Sequence, residues 1–467
     1  MPLIDDLTTL LSEDRVLHHP LDLFVFSKDA GVGRGDVVAA ILPETSQEVA
    51  AAVRIARRYG TPIVPRGAGT GLAGGAVPVE PGLLVVLTRL NQIHDVDQVA
   101  RTAWVGPGVI NLDLSKELEP LGLHFAPDPS SQQACTIGGN VGTNAGGPHC
   151  LADGTTVAHI LAAELVTAEG DIVMVGSEAP DQPGLDLRAV VVGSEGTLGI
   201  VTSVLVRLTK NAPDVATLLV GFPTIESAAA TVSDVIASGL IPAALEIMDQ
   251  PMVEAVEHFV HAGYPTDAGA VLLAEVTGTP AAVASGVEVI QSISRSHLAT
   301  EVRAATDASE RTLLWKGRKA AFGAVAQTAP DYYLHDTVVP RTELVDVMTK
   351  IYDIGARHDI LMMNVFHAGD GNLHPLVAFD AREPGMLDRV QAAAREMVEV
   401  SIEVGGSLSG EHGIGLEKRD LMHLVFSDID LDAQARVREA FDDAGMMNPS
   451  KVLPEGSRCF DANGVRL

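Results

Sequence analysis

The chain has 467 residues, 46% of them hydrophobic, which is too long for one ordinary core and too apolar for a disordered chain, so at least two domains are implied. Acidic residues outnumber basic ones by 61 to 32, for a formal charge of -29, and such a surface repels phosphate backbones, which excludes nucleic acid as a partner. The three cysteines, Cys135, Cys150 and Cys459, contain no C-x-x-C pair, so neither a disulfide framework nor a protein-ligated iron–sulfur cluster is available, and a reducing cytoplasm fits best.

The chain opens with "MPLIDDLTTLLSED", which is acidic and lacks the basic start and apolar run of a signal peptide. No apolar run approaches the ~20 residues that span a bilayer, so the expected location is cytoplasmic, with at most peripheral contact at the inner face of a membrane. "PETSQEVAAAVRIARRYG" (43–60) reads as a helix: Thr45 and Glu48 are spaced for a capping box, and Gly60 is a natural stop. "TPIVPR" is then a short buried strand. "GLLVVLTRL", "TAWVGPGV" and "AAELVTAEGDIVMV" follow as strands with turns at Pro-Gly and Glu-Gly. Polar and proline residues near Asn211, in "RLTKNAPDVAT", mark a domain boundary. Beyond it, "TIESAAATVSDVIASG", "AAVASGVEVIQSIS", "ASERTLLWKGRKAAFGAVAQ" and "LDRVQAAAREMVEVSIEVGG" read as helices. "AGAVLLAEV", "YYLHDTVV" and "ILMMNVFH" lie between them as strands.

The stretch "PIVPRGAGTGLAGGAVP" contains a formal G-x-G-x-x-G at Gly69, Gly71 and Gly74. A dinucleotide-binding turn of that pattern needs a helix directly after it to receive the pyrophosphate. Here Pro78 and Pro81 exclude a regular helix, and a β-like run follows instead. Glycines also let backbone N–H groups approach an anion without any helix. Gly67, Gly69, Gly71, Gly74 and Gly75, with Arg66 for charge, suit an all-loop phosphate cradle. A tight turn in an ordinary sheet explains two or three of them. Two further stretches, "PDPSSQQACTIGGNVGTNAGG" (127–147) and "VVGSEGTLGIVT" (191–202), point to a long phosphate-bearing cofactor threaded along backbone amides.

These three stretches resemble the flavin-binding domain of the vanillyl-alcohol oxidase superfamily. With "NVFHAGDGNLHP" and "SGEHGIG" in the second half, the chain resembles the branch that holds the flavoprotein of glycolate oxidase, D-lactate dehydrogenase and D-2-hydroxyglutarate dehydrogenase, over about residues 26–454. The resemblance implies an α+β fold: a PCMH-type FAD-binding domain over 1–210 (its core about 38–210), a second α+β substrate or cap domain on an antiparallel sheet over 211–425, and a C-terminal segment, 426–467, returning to the first. It implies FAD, with the pyrophosphate over Arg66, Gly67, Ala68, Gly69, Thr70 and Gly71. Pro127, Ser131, Thr136, Gly138, Gly139 and Asn144 line the flavin and diphosphate, and Glu195, Gly199 and Ile200 meet the adenosine and flavin parts. Asn448 and Lys451 lie near the ring. Some relatives attach FAD through a histidine in the first loop; Thr70 stands there, which implies non-covalent FAD.

The second half carries the chemistry. His367 and His374 flank Gly369-Asp370-Gly371-Asn372, and Asp-Gly is a strong hairpin signal. If the strands pair across that turn the histidines can face each other, roughly 5 Å apart at Cβ, and share one divalent metal. An isolated H-x6-H reads as readily as a pair of turn-capping histidines. Glu411 in "SGEHGIG" tips the balance: two imidazoles and a carboxylate with an open position suit a catalytic zinc or manganese ion. The family has the same three ligands. A metal-bound hydroxyl is acidified, and His412, alone a plain loop histidine, is the expected base for its proton. Arg318 in "LLWKGRKAA" matches the family arginine that grips the substrate carboxylate; read alone, "KGRK" is a solvated helix face. The hydroxyglutarate dehydrogenases place a lysine where "YYLHDTVVP" has Leu334 and His335, so glycolate or D-lactate is favoured over a dicarboxylate. The expected activity is therefore FAD- and metal-dependent oxidation of a small D-2-hydroxy acid, with electron-acceptor subunits, a quinone or a cytochrome as onward partners. An alkylglycerone-phosphate-synthase-like flavin transferase and an FAD-holding component of a larger, multi-subunit glycolate oxidase are the alternatives.

Overall fold

The computed structural model describes residues 2–179 and 183–454; Cys459 lies outside them, and Cys135 is buried while Cys150 is partly exposed. The described residues form two compact units. The first comprises 2–146, 155–211 and 411–454, and the second comprises 147–154 and 212–410. The chain thus enters the second unit beside the boundary read at Asn211 and leaves it after Gly410, where the sequence reading put the return at 426. The excursion of 147–154 carries no signal in the sequence.

Among its described residues the first unit holds a four-stranded and a five-stranded sheet. In the four-stranded sheet Val16–Leu17 pairs antiparallel with Val37–Ile41, which runs parallel to Gly82–Val86, itself parallel to Ile63–Arg66. The helix Ser46–Arg58 covers this sheet because Val49, Ala52, Val53 and Ala56 recur at helical spacing and are fully buried. Pro2–Leu10 adds Leu3, Ile4 and Leu7 to the same core. Thr45 caps the Ser46–Arg58 helix by accepting from the Glu48 N–H at 3.1 Å. The Glu48 carboxylate accepts from the Glu44 N–H at 2.7 Å and from the Arg15 guanidinium at 2.9 Å, so the return bond goes to the residue before the cap.

The glycine-rich stretch joins two neighbouring parallel strands, Ile63–Arg66 and Gly82–Val86, and residues 67–81 contain neither helix nor strand. Parallel neighbours usually require a helical crossover; here an irregular loop makes the connection. The five-stranded sheet runs 93–97, 102–105, 200–207, 160–166 and 172–176, all antiparallel. Phe125, Ile137 and Val141 pack on it, which seats the second glycine-rich stretch against a core.

The second unit is built on an antiparallel sheet of nine strands among the described residues. Strand Asp214–Phe222 pairs with Ala270–Gly278, that with Ala244–Asp249, and that with Leu361–His367. Helices Ile225–Ala237, Pro280–Ser296, Leu344–His358 and Met386–Glu403 contribute apolar side chains to its large core. Two elements depart from the sequence reading. The helix expected over 308–327 breaks at Ala320 into Ala308–Lys319 and Ala321–Val325. The strand "YYLHDTVV" is interrupted at His335-Asp336: Asp331–Leu334 pairs with Pro375–Phe379, and Thr337–Val338 with Asn372–Leu373. The interruption lies across from His374, whose Nδ1 sits 3.1 Å from the His335 carbonyl oxygen. Among the described residues no helix is long and apolar enough to cross a membrane.

Candidate active site

In the first unit the three glycine-rich stretches meet. A Cβ on Gly67 would lie 2.4 Å from the Thr136 Oγ1, and one on Gly138 would lie 2.5 Å from the Pro107 Cβ. Gly69 has φ +74, and a Cβ there would lie 2.0 Å from the Arg66 Nη2. Arg66 is therefore folded beneath its own loop. It is 7% exposed, burial depresses its pKa, and its Nη1 reaches the Ala76 carbonyl only at 3.5 Å. A buried guanidinium with weakly used donors, beneath a loop rich in glycine, fits a diphosphate. Asp29, missed in the sequence, is a buried neighbour of that charge; it accepts from the Gly31 N–H at 2.9 Å, and burial raises its pKa.

Several residues expected to line the cofactor have side chains that brace the protein. Asn144 ends helix Ile137–Thr143 at φ +54 and accepts from the Val157 N–H at 2.8 Å. Ile200 is fully buried in the core beside Val166. Pro127 gives its carbonyl oxygen to the Asn111 Nδ2 at 2.8 Å. Glu195 holds the return segment: its Oε1 accepts from the Ile414 N–H at 2.7 Å and the Gly415 N–H at 3.0 Å. Burial pushes the Glu195 pKa up to about 7, against the pull of those amides and of Lys451. Asn448 donates to the Gly75 carbonyl at 2.8 Å and the Glu195 carbonyl at 2.6 Å, and Lys451 donates to the Val77 carbonyl at 2.5 Å. Burial brings the Lys451 pKa down to about 8. Glu195, Asn448 and Lys451 thus tie the C-terminal residues to the glycine loop from which Arg66 comes.

In the second unit the Asp370-Gly371 turn forms as expected. Gly371 has φ +80, and the Asn372 N–H donates to the Asp370 Oδ1 at 3.1 Å. The register differs from the one expected: Asn372, not His374, is directly opposite His367. His374 is two residues further on, where strand alternation returns it to the same face. The two imidazoles still meet, edge to face, with ring centroids 5.0 Å apart. Both are nearly fully buried. His374 Nδ1 faces the His335 carbonyl oxygen, which can only accept, so that nitrogen carries the proton. His367 Nδ1 faces the two oxygens of Glu246 at 2.8 and 2.9 Å, which assigns its proton in the same way. Each ring therefore has its lone pair on Nε2, the arrangement a divalent ion requires of histidine ligands.

Glu246 also holds Arg318. The guanidinium Nε lies 2.7 Å and Nη2 2.5 Å from Oε2, and Nη2 lies 3.4 Å from the His367 Nδ1. Arg318 is only 2% exposed, so "KGRK" does not present it to solvent. Its Nε–Nη2 edge is occupied by Glu246. Glu246 was missed; the one signal was a lone acid inside the apolar run "IPAALEIM". The neighbouring Glu275 was missed too. It receives the Thr217 hydroxyl at 2.5 Å, the Trp315 indole N–H at 2.6 Å and His149 at 3.3 Å. Asp336, fully buried, accepts from the Ser409 hydroxyl at 2.5 Å and the Gly410 N–H at 2.9 Å, which fixes the residues just before Glu411.

Glu411 and His412 belong to the first unit, in the loop that Glu195 receives. Their side chains are largely buried, with His412 Nε2 3.9 Å from the Glu411 Oε1. Taken alone, His412 reads as a plain loop histidine, but its side chain is not solvent-exposed.

Comparison with known proteins shows the family. Residues 212–452 match the family model for FAD linked oxidases, C-terminal domain, and residues 37–176 match that for an FAD binding domain. The glycolate oxidase subunit GlcD of Escherichia coli strain K12 is 44% identical over 453 residues, covering 97% of this chain and 91% of the relative. The D-lactate dehydrogenase of Anaerostipes hadrus is 31% identical over 440 residues, 92% of either chain. Among solved structures, p-cresol methylhydroxylase with substrate bound superposes with a TM-score of 0.82 over 96% of each chain. At 15% identity that likeness shows the fold alone: a PCMH-type FAD-binding domain with a second α+β domain on an antiparallel sheet.

Proposed function

The chain is a member of the FAD-linked oxidase family, and we propose that it oxidises a small D-2-hydroxy acid, glycolate or D-lactate, to the 2-oxo acid with the help of a divalent metal, zinc or manganese. The supporting observation is the pair of buried histidines, His367 and His374, each with its Nδ1 proton committed to an acceptor. Two nitrogen ligands of one tautomer suit such an ion, and Glu411, one peptide bond beyond the anchored Gly410, is the proposed third ligand.

Bound FAD supplies the hydride acceptor at its N5. A bound ion supplies a charge that lowers the pKa of a hydroxyl beside it. The remaining work falls to the chain. Arg318, aimed by Glu246, binds the substrate carboxylate through the end of its guanidinium that Glu246 leaves. His412 takes the hydroxyl proton, and its burial keeps competing water away from that transfer. Arg66 and the backbone of Gly67, Ala68, Gly69, Thr70 and Gly71 hold the diphosphate, with FAD bound non-covalently. Leu334 and His335, both buried, stand where a second carboxylate would require a lysine, which supports a monocarboxylate substrate. The chain carries no set of cluster cysteines, so the proposed onward electron acceptor is a separate protein subunit, a quinone or a cytochrome. The proposed location is the cytoplasm, at most peripheral to the membrane.

The test is anaerobic mixing of the FAD-loaded protein with glycolate, D-lactate, L-lactate and D-2-hydroxyglutarate. The yellow flavin colour is expected to bleach with glycolate or D-lactate and at least about ten-fold more slowly with the other two, since misplacing a single charged contact costs more than about 1.4 kcal/mol. No bleaching with any short 2-hydroxy acid overturns the proposal.

A further inference from the structure

Glu246 lies on strand Ala244–Asp249, directly opposite His367 on one side and Leu273 on the other. Its neighbours Leu245 and Ile247 face the core of the second unit, so strand alternation turns Glu246 to the opposite face. There it is 1% exposed. A buried carboxylate costs several kcal/mol unless it is paired and hydrogen-bonded. Here the pairing is double, with Arg318 on Oε2 and His367 facing both oxygens. A residue kept only to stabilise the sheet needs no such pair of partners, and both partners carry roles in the function proposed above.

We propose that Glu246 is a positioning residue: one carboxylate that fixes the tautomer of His367 toward a divalent ion and the aim of Arg318 toward the substrate carboxylate. This rests on the reading of His367 as a metal ligand and Arg318 as the anion grip. Its physical core is an acceptor count. An ionised carboxylate accepts only, and can serve a guanidinium and an imidazole N–H together. In Glu246→Gln the amide offers one oxygen and one NH2 group. Arg318 can only donate, so it takes the oxygen. The NH2 group then takes the place of Oε1, 2.8 Å from the His367 Nδ1, and opposes a proton there; the one oxygen left within reach, at 2.9 Å, is shared with Arg318, so the balance shifts toward the proton on Nε2 and away from the lone pair aimed at the ion.

The experiment measures zinc and manganese affinity by competition with a chelator, on FAD-loaded wild type, Glu246→Gln, His367→Ala and Glu275→Gln. Glu246→Gln is expected to bind the ion about 10–100-fold more weakly, with flavin content unchanged and a raised KM for the hydroxy acid. Glu275→Gln removes another buried carboxylate from the same sheet, and is expected to lower the melting temperature while leaving metal affinity at the wild-type value. A Glu246→Gln protein that keeps its flavin and binds the ion as tightly as wild type overturns the inference. Wild type that binds no ion, or His367→Ala that binds like wild type, overturns instead the reading of His367 as a ligand. A second measurement needs no variant at position 246: nitrogen NMR of histidine-labelled metal-free protein, with the His367 signal assigned by its loss in His367→Ala. The proton is expected on Nδ1, and a proton on Nε2 overturns the inference even if Glu246→Gln does not fold.

Discussion

Gly69 shows how narrow the tolerance is at single positions. Its φ of +74 is a conformation that costs an L-residue about 1–2 kcal/mol, and a Cβ would also collide with the Arg66 guanidinium at 2.0 Å. The buried Arg66 guanidinium, proposed to meet the diphosphate, would have to move. Gly69→Ala is expected to weaken FAD binding by about ten-fold or more; the ratio of flavin to protein absorbance after gel filtration measures it. Undiminished flavin content would show that the loop does not cradle the cofactor. Arg318 makes a related point. The motif singled it out, but its bonding was not legible, because Glu246 is 72 residues away in sequence and reaches it only through the sheet.

Among elements, the loops and their clamp carry the clearest consequence. Glu195 joins residues 414–415 to the loop of 193–196 and has a folded pKa of about 7, above the ordinary 4.5, because burial penalises its charge. The sign follows from proton counting. Between pH 4.5 and 7 the folded state holds a proton that the unfolded chain has released, so stability is complete below 4.5 and falls as pH rises through 7. The span corresponds to a loss of about 3 kcal/mol. Glu195→Gln is expected to remove that dependence, so that its melting temperature changes less than that of wild type across the window; equal slopes for the two proteins would contradict the assignment. The sequence announced the elements unevenly. Helix Ser46–Arg58 was legible because cap, apolar period and stop agree. The helixless glycine crossover was legible because two prolines forbid the alternative. The break at His335-Asp336 was not, since a strand that changes partners looks locally like one that does not. The register of the histidine hairpin was missed for a similar reason: the turn residues were visible, but not the pairing that sets Asn372 opposite His367.

At the scale of the whole molecule, each unit carries its own part of the chemistry. The first gathers three glycine-rich stretches around a buried arginine. The second offers a histidine and an arginine organised by one carboxylate, and a second histidine set by a backbone carbonyl. One family model matches 37–176, inside the first unit apart from 147–154, and the other matches 212–452, which runs through the second unit and on into the return segment of the first. The surface charge of -29 fits a chain that handles a small anion with a few buried cations and repels large polyanions. The central claim is that a divalent ion held by His367, His374 and Glu411 makes the substrate hydroxyl acidic enough to be oxidised. The most direct measurement is the anaerobic rate of flavin bleaching by D-lactate or glycolate in protein stripped of metal by a chelator, and again after zinc or manganese is restored. The expected result is a fall of about 100-fold or more on stripping, with FAD still bound and the rate recovered on restoring the ion. Stripped protein that retains its flavin and bleaches at the full rate would contradict the claim.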